Sequence, residues 1–198
     1  MAATSSSTIY TTFEVVRTVV AVCIYTLADY FLSRIRVILF PTMKKQAVGV
    51  YLMRKKQLLF LVRRKEHDTT HQQGIYLPVG GKVELGEKLE DAAIREVREE
   101  SGVRVKSVTL AGIIYIIGQG TGRNDWNIFI FTATDFSGEP QTGNEGTFVW
   151  VDFRDIPQTH TYQGDQVYLP YIWKNRFFVL ELYYHGFEYL THKLLALR

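Results

Sequence analysis

The chain has 198 residues, 46% of them hydrophobic and 22% charged, which is enough for one well-buried domain and excludes a disordered or fibrous protein. A net charge of +3 suits an anionic ligand but falls far short of the basic footprint of a dedicated nucleic-acid binder. The single cysteine, Cys23, excludes an intramolecular disulfide and any multi-cysteine zinc site, and it predicts a reducing, cytoplasmic setting.

Residues 1–42 read as an N-terminal apolar helical extension. Val16, Val20, Cys23, Leu27, Tyr30 and Phe31 recur at helical spacing after a Ser/Thr-rich start. The uncharged run from Thr18 to Ala28 is too short to cross a bilayer, and Glu14, Arg17, Asp29, Arg34 and Arg36 interrupt the flanks, so no transmembrane span is expected. Three roles stay open: a helix packed on the domain, a peripheral membrane contact over residues 13–40, or an extension upstream of a protein that begins at Met43.

From residue 43 to 198 the pattern is regular. Residues 46–53 and 57–63 are apolar, β-branched runs separated by "RKKQ", which predicts a β-hairpin. A polar loop, "KEHDTTHQQG", leads to "GIYLPVGGKV" and then to a helix ending at Gly102. Leu89, Ala92, Ala93 and Val97 form that helix's apolar stripe, with Glu90 and Asp91 near its N-terminus. Residues 105–118 and "WNIFIFTATDF" predict strands, and "SGEPQTGNEG" is a turn-rich loop before the strand "TFVWVDF". Pro157 opens a loop, a short helix covers 165–174, and a hairpin covers 176–195. The order is α+β. The five histidines form no ligand pattern, and His67, His71, His160, His185 and His192 read as surface or loop residues.

The polar face of the first helix carries the chemistry. Glu96 lies three residues from Glu99 and four from Glu100, so on a helix the three carboxylates are neighbours and repel. A crowd of oxygen ligands suits a hard divalent cation, and Mg²⁺ is commonly held by one or two carboxylates together with water and substrate phosphates. A solvated acidic face explains a few glutamates equally well. The full spacing decides against it: Gly81, five residues, Glu87, seven residues, Arg95, Glu96, Val97, one residue, Glu99, Glu100, one residue, Gly102, Val103.

These positions match every fixed position of the Nudix box, so the chain resembles the Nudix hydrolases, which cleave a nucleoside diphosphate linked to another group. The resemblance implies a Nudix fold: an α/β/α sandwich around a mixed central β-sheet, with the box as a loop-helix-loop. It implies that Glu96, Glu99 and Glu100 ligate Mg²⁺ or Mn²⁺, that Gly81 lets backbone approach the metal, and that Glu87 and Arg95 pair to brace the loop. Glu96 or a neighbouring carboxylate would help to deprotonate the attacking water. Glu145 falls where many relatives place a further catalytic glutamate; an exposed turn acid is the other reading.

Beyond the box, "IPQTHTYQGDQVYLP" and the aromatic hairpin "RFFVLELYYHGFEY" look like the MutT-like branch and its oxidised-purine triphosphatases of the 8-oxo-dGTP diphosphatase type. That likeness implies hydrolysis of a modified purine nucleoside triphosphate to monophosphate and pyrophosphate. Tyr162 would stack on the base, and Asp165 would read its edge as the survivor of an acid pair whose first member is replaced by Gly164. Tyr76 and Leu77 would border the base, with Leu77 standing where those enzymes carry an amide. Arg63 would meet phosphate, or be an exposed strand-end arginine; Tyr162 is otherwise a core aromatic. Two alternatives are another diphosphate-linked substrate, such as ADP-ribose, a nucleotide sugar or a dinucleoside polyphosphate, and a non-catalytic nucleotide-binding module. The partner expected is a nucleotide rather than a stable nucleic acid, for a monomer or homodimer.

Overall fold

Long β-branched and aromatic runs pair across the chain into one mixed sheet. The structure, a computed structural model, describes residues 44–63, 74–119, 125–143 and 146–198. The expectations for residues 1–42, for His67 and His71, and for Glu145 fall outside the described residues.

Strand β1 (Lys45–Arg54) and β2 (Gln57–Arg63) form the antiparallel hairpin, turned at Lys55 with φ 54°. They are followed by β3 (Tyr76–Leu77) and helix α1 (Leu89–Ser101), then β4 (Arg104–Val105) and β5 (Thr109–Gln119). Next come β6 (Trp126–Ala133), β7 (Phe136–Ser137) and β8 (Gly146–Asp152). Helix α2 (Gln163–Trp173), β9 (Phe178–His185) and β10 (Glu188–Leu197) complete the order. The main sheet runs β10-β9-β5-β6-β1-β2-β3, with β8 also paired to β2. It is mixed because β1 lies parallel to β6 and β5 parallel to β9 while the other pairs are antiparallel.

Alternation along the strands fills two cores, one on each face. From β1, Tyr51 joins Leu58, Phe60, Phe178, Leu180 and Leu182 in a cluster with Tyr168, Leu169 and Ile172 of α2. Val48, Val50 and Leu52 of the same strand join Leu59 and Phe131 in a cluster with Ala92, Ala93 and Val97 of α1. A helix on each side of the sheet makes the α/β/α sandwich.

Five boundaries depart from the expectations. The run 105–118 breaks into β4 and β5, and "WNIFIFTATDF" breaks into β6 and β7, because β4 and β7 leave the main sheet to pair with each other. Pro157 lies inside a single 3-10 turn, Ile156–Gln158, where its missing N–H has no partner to lose. Helix α2 starts at Gln163 rather than 165, after Tyr162 in an extended N-cap conformation. The last hairpin extends to Leu197.

Candidate active site

The box folds as a loop that returns across β1 into α1. Val48 N–H donates to the Gly81 carbonyl at 2.9 Å, and Val50 and Val79 exchange backbone hydrogen bonds. Gly80 is pressed on β1 so closely that a Cβ there would meet the Val48 carbonyl. At Gly81 a Cβ would lie 2.6 Å from Glu96 Oε1, so only the missing side chain lets backbone meet that carboxylate. Gly102 ends α1 in the left-handed conformation, φ 72°, and its N–H donates to the Arg98 carbonyl at 3.0 Å.

Arg95 organises the acids. Its Nε and Nη2 donate to Glu87 Oε1 and Oε2 at 2.8 and 2.9 Å, a two-pronged pair that ties the loop to the helix. Nη2 also donates to the Lys82 carbonyl, while Nη1 donates to Glu96 at 2.9 Å and Glu99 at 3.1 Å. The Arg95 guanidinium, aided by the Glu84 N–H, holds the Glu87 carboxyl down at about 2. Those carboxylates in turn push the Arg95 pKa up, Glu87 first. Gly80 N–H donates to Glu100 Oε2 at 3.0 Å.

Glu96, Glu99 and Glu100 open onto one hollow of about 270 Å³, together with Leu61, Gly143, Gly146 and Phe148. One guanidinium faces Glu87, Glu96 and Glu99, so the cluster keeps a negative balance. Among the described residues no group of three or more His, Cys, Asp or Glu side chains forms a ready-made metal cage. The donor set nevertheless fits a hard cation that takes one or two carboxylates and completes its shell with phosphate and water. Glu99, 59% exposed on its side chain, can turn from Arg95 toward the hollow; Glu96, at 13%, is held against Gly81.

A second hollow, about 500 Å³, lies on the α2 side of the sheet. Ala47, Ile116, Gly118, Trp126, Ile128, Tyr162, Tyr184, Gly186 and Phe187 line it. Its walls come from β1, β5, β6 and the β9–β10 hairpin, brought together by the two parallel pairings. Lys45 Nζ sits 5.2 Å from the Trp126 ring centroid. Ala47 of the second hollow pairs through its backbone with Lys82 of the box loop, and the neighbouring Gly81 lies against Glu96 of the first.

The remaining residues expected at the site are distributed unevenly. Tyr162 lines the aromatic hollow. Asp165 lies behind it, in contact with Tyr168, whose hydroxyl is 3.1 Å from that of Tyr51; burial pushes its carboxyl up to about 7. Tyr76 packs edge-on against Phe60 and Leu77 pairs with Leu61, and neither lines the aromatic hollow. Arg63 pairs with Gly146 and is two residues beyond Leu61, hence on the same strand face as a wall of the acidic hollow. Trp126, Tyr184 and Phe187 were not legible as site residues. The aromatic hairpin was the one signal that could have pointed to the last two.

A NUDIX domain profile matches residues 43–171. The chain belongs to the Nudix family. Over 108 residues it is 32% identical to the uncharacterized Nudix hydrolase YvcI of Bacillus subtilis, covering 53% of this chain and 68% of that protein. Over 117 residues it is 32% identical to the oxidized purine nucleoside triphosphate hydrolase of Danio rerio, covering 58% of this chain and 74% of that protein. The MutT protein of Bacillus halodurans superposes with a TM-score of 0.69 at 25% identity, over 76% of this chain and 97% of that one. This chain is therefore a MutT-like Nudix hydrolase with the Nudix sandwich fold, a family that uses divalent metal ions and acts on nucleotide substrates.

Proposed function

We propose that this Nudix hydrolase cleaves modified or oxidised purine nucleoside triphosphates to the monophosphate and pyrophosphate, with Mg²⁺ or Mn²⁺, as a sanitiser of the cytoplasmic nucleotide pool. The observation that carries the reading is an acidic hollow and an aromatic hollow that both reach the box loop, through Glu96 at Gly81 and through Ala47 at Lys82. A flat apolar base fits the aromatic one, with Tyr162 and Trp126 in its wall, and the phosphates then cross Gly80, Gly81 and Lys82 to the acids. The likeness to the Danio rerio oxidized purine nucleoside triphosphate hydrolase supports the choice of substrate.

Glu96, Glu99 and Glu100 would hold the cation, which when bound neutralises phosphate charge and lowers the pKa of water. The chain's own residues position everything else. Arg95 sets the carboxylates and is itself fixed by Glu87. Gly80 N–H orients Glu100. Glu96, or a neighbouring carboxylate, would accept the proton of the attacking water as its oxygen bonds to a phosphorus flanking the α–β bridge and that P–O anhydride bond breaks, the departing phosphate fragment keeping the electron pair. By the family resemblance Glu145 would supply a further acid, and Arg63 would steady phosphate.

Purified protein incubated with Mg²⁺ and a panel of 8-oxo-dGTP, 2-hydroxy-dATP, ordinary dNTPs, ADP-ribose and a dinucleoside polyphosphate tests this, with products separated by chromatography. Preferential release of pyrophosphate from an oxidised purine triphosphate is expected. Turnover confined to ADP-ribose or the dinucleotide would replace the substrate, and no turnover at all would favour the binding-module reading.

A further inference from the structure

Among the described residues, the side chains lining the aromatic hollow include no carboxylate, no amide and no charged group. The polar side-chain atoms of these described residues are Trp126 Nε1 and the hydroxyls of Tyr162 and Tyr184. Tyr184 is held in a particular way. Phe178, Leu180 and Leu182 alternate into the core on the α2 side, and Tyr184 is next on that face of β9. There its Oη reaches over the first turn of α2, so close to Gly164 that a Cβ would collide with it, and it hydrogen-bonds with the Gly164 backbone. The ring meets Tyr189 edge-on at 5.7 Å, which fixes its plane.

We propose that Tyr184 is a specificity-determining residue whose hydroxyl donates to an acceptor atom on the edge of the bound base, from the space that Gly164 leaves open. The proposal rests on the reading that this hollow takes the base. Its chemical content is the exchange of one readout group for another. An ionised carboxylate at this turn would only accept, and would favour a base edge rich in N–H groups. A phenol that already accepts from the Gly164 N–H has its own proton left to give, and burial raises its pKa, so it stays neutral and remains a donor. It therefore selects a carbonyl or ring nitrogen. In an otherwise apolar wall, a base without such an acceptor leaves the hydroxyl unmatched, and that mismatch is what discriminates.

The test is metal-free binding, measured by calorimetry on the full chain, of two monophosphates. One is dGMP; the other is an indole deoxyriboside 5′-monophosphate, which keeps the flat bicyclic shape and lacks every edge acceptor. Wild type is expected to prefer dGMP by about tenfold, and Tyr184→Phe to remove that preference while leaving indole binding unchanged, with some fall in Tm because the Gly164 N–H loses its acceptor. Gly164→Ala, which drives a Cβ onto the hydroxyl, should cause the same loss with the hydroxyl still present. Equal weakening of both ligands by Tyr184→Phe, or a wild type that makes no distinction, would overturn the proposal. A dGMP preference abolished by Tyr184→Phe in a protein that hydrolyses no purine triphosphate would support Tyr184 and overturn the reaction proposed above.

Discussion

At the scale of single residues, the site is governed by what one arginine can hold. Arg95 bonds Glu87 with two nitrogens and has its third left for Glu96 and Glu99. Replacing Glu87 by Gln removes the anchor, and turnover should fall by about 10- to 100-fold, the usual cost of losing a group that orients metal ligands. The same pair makes the fold acid-sensitive. Glu87 is depressed to about 2, so its stabilisation is present above the ordinary carboxylate range and is lost as pH falls toward 2. Melting curves between pH 5 and pH 2 should show a shallower loss of Tm for Glu87→Gln than for wild type; parallel curves would remove the pair from the account.

Two adjacent glycines separate structure from chemistry. A Cβ at Gly80 meets the backbone carbonyl of Val48, which cannot yield without moving β1, so Gly80→Ala should destabilise by about 1–3 kcal/mol or more. The nearest atoms that a Cβ at Gly81 meets are those of the Glu96 carboxylate, the end of a side chain that can give way by loosening its bond to Arg95. Gly81→Ala should therefore melt close to wild type and lose most of its turnover. Measuring Tm and kcat together on both variants checks the contrast, and a Gly81→Ala enzyme of normal activity would contradict the placement of Glu96. At this scale much was legible, because the box fixes residue type and spacing within one loop and helix. Tyr184 and Trp126 were not, since nothing local marks an aromatic strand residue as wall rather than core.

At the scale of elements, α1 follows from its sequence closely: an apolar stripe, acids in the first turn and a left-handed Gly102 at the end. Helix α2 starts two residues before the position that periodicity predicts, because its start depends on Tyr162 being extended and on Asp165 in the first turn, neither of which periodicity records. Asp165 carries a consequence of its own. Half-buried beside Tyr168, its carboxyl is raised by desolvation to about 7, so the folded state binds a proton that the unfolded chain releases near pH 4. Its contribution is complete below the unfolded value and declines as pH rises toward 7. Asp165→Asn should abolish that decline, so the Tm difference between variant and wild type should grow from pH 4 to pH 7. A pH-independent difference would contradict the assignment. The strands β4 and β7 were read as parts of longer strands because their departure from the sheet is a pairing choice between distant segments, invisible in either segment alone.

At the scale of the whole molecule, what sequence could not supply is the sheet order. Parallel pairing of β1 with β6 and of β5 with β9 brings Ala47, Ile116, Trp126 and Tyr184 around one hollow, although they are spread over most of the domain. Non-local contacts of this kind are set by packing of the complete sandwich rather than by local propensity. The backbone bridge between Ala47 and Lys82 then sets that hollow against the box loop, whose Lys82 carbonyl accepts from Arg95. The base end and the phosphate end of one ligand should therefore be separable by mutation.

The most direct test is steady-state kinetics of Tyr162→Ala and Glu99→Gln on a purine nucleoside triphosphate and on bare inorganic polyphosphate. Tyr162→Ala should raise KM for the nucleotide by about tenfold, in line with the loss of one base–aromatic contact, and leave the polyphosphate unaffected. Glu99→Gln should lower kcat on both. Equal effects of Tyr162→Ala on the two substrates, or an undiminished kcat in Glu99→Gln, would contradict a single ligand bridging the aromatic and acidic hollows.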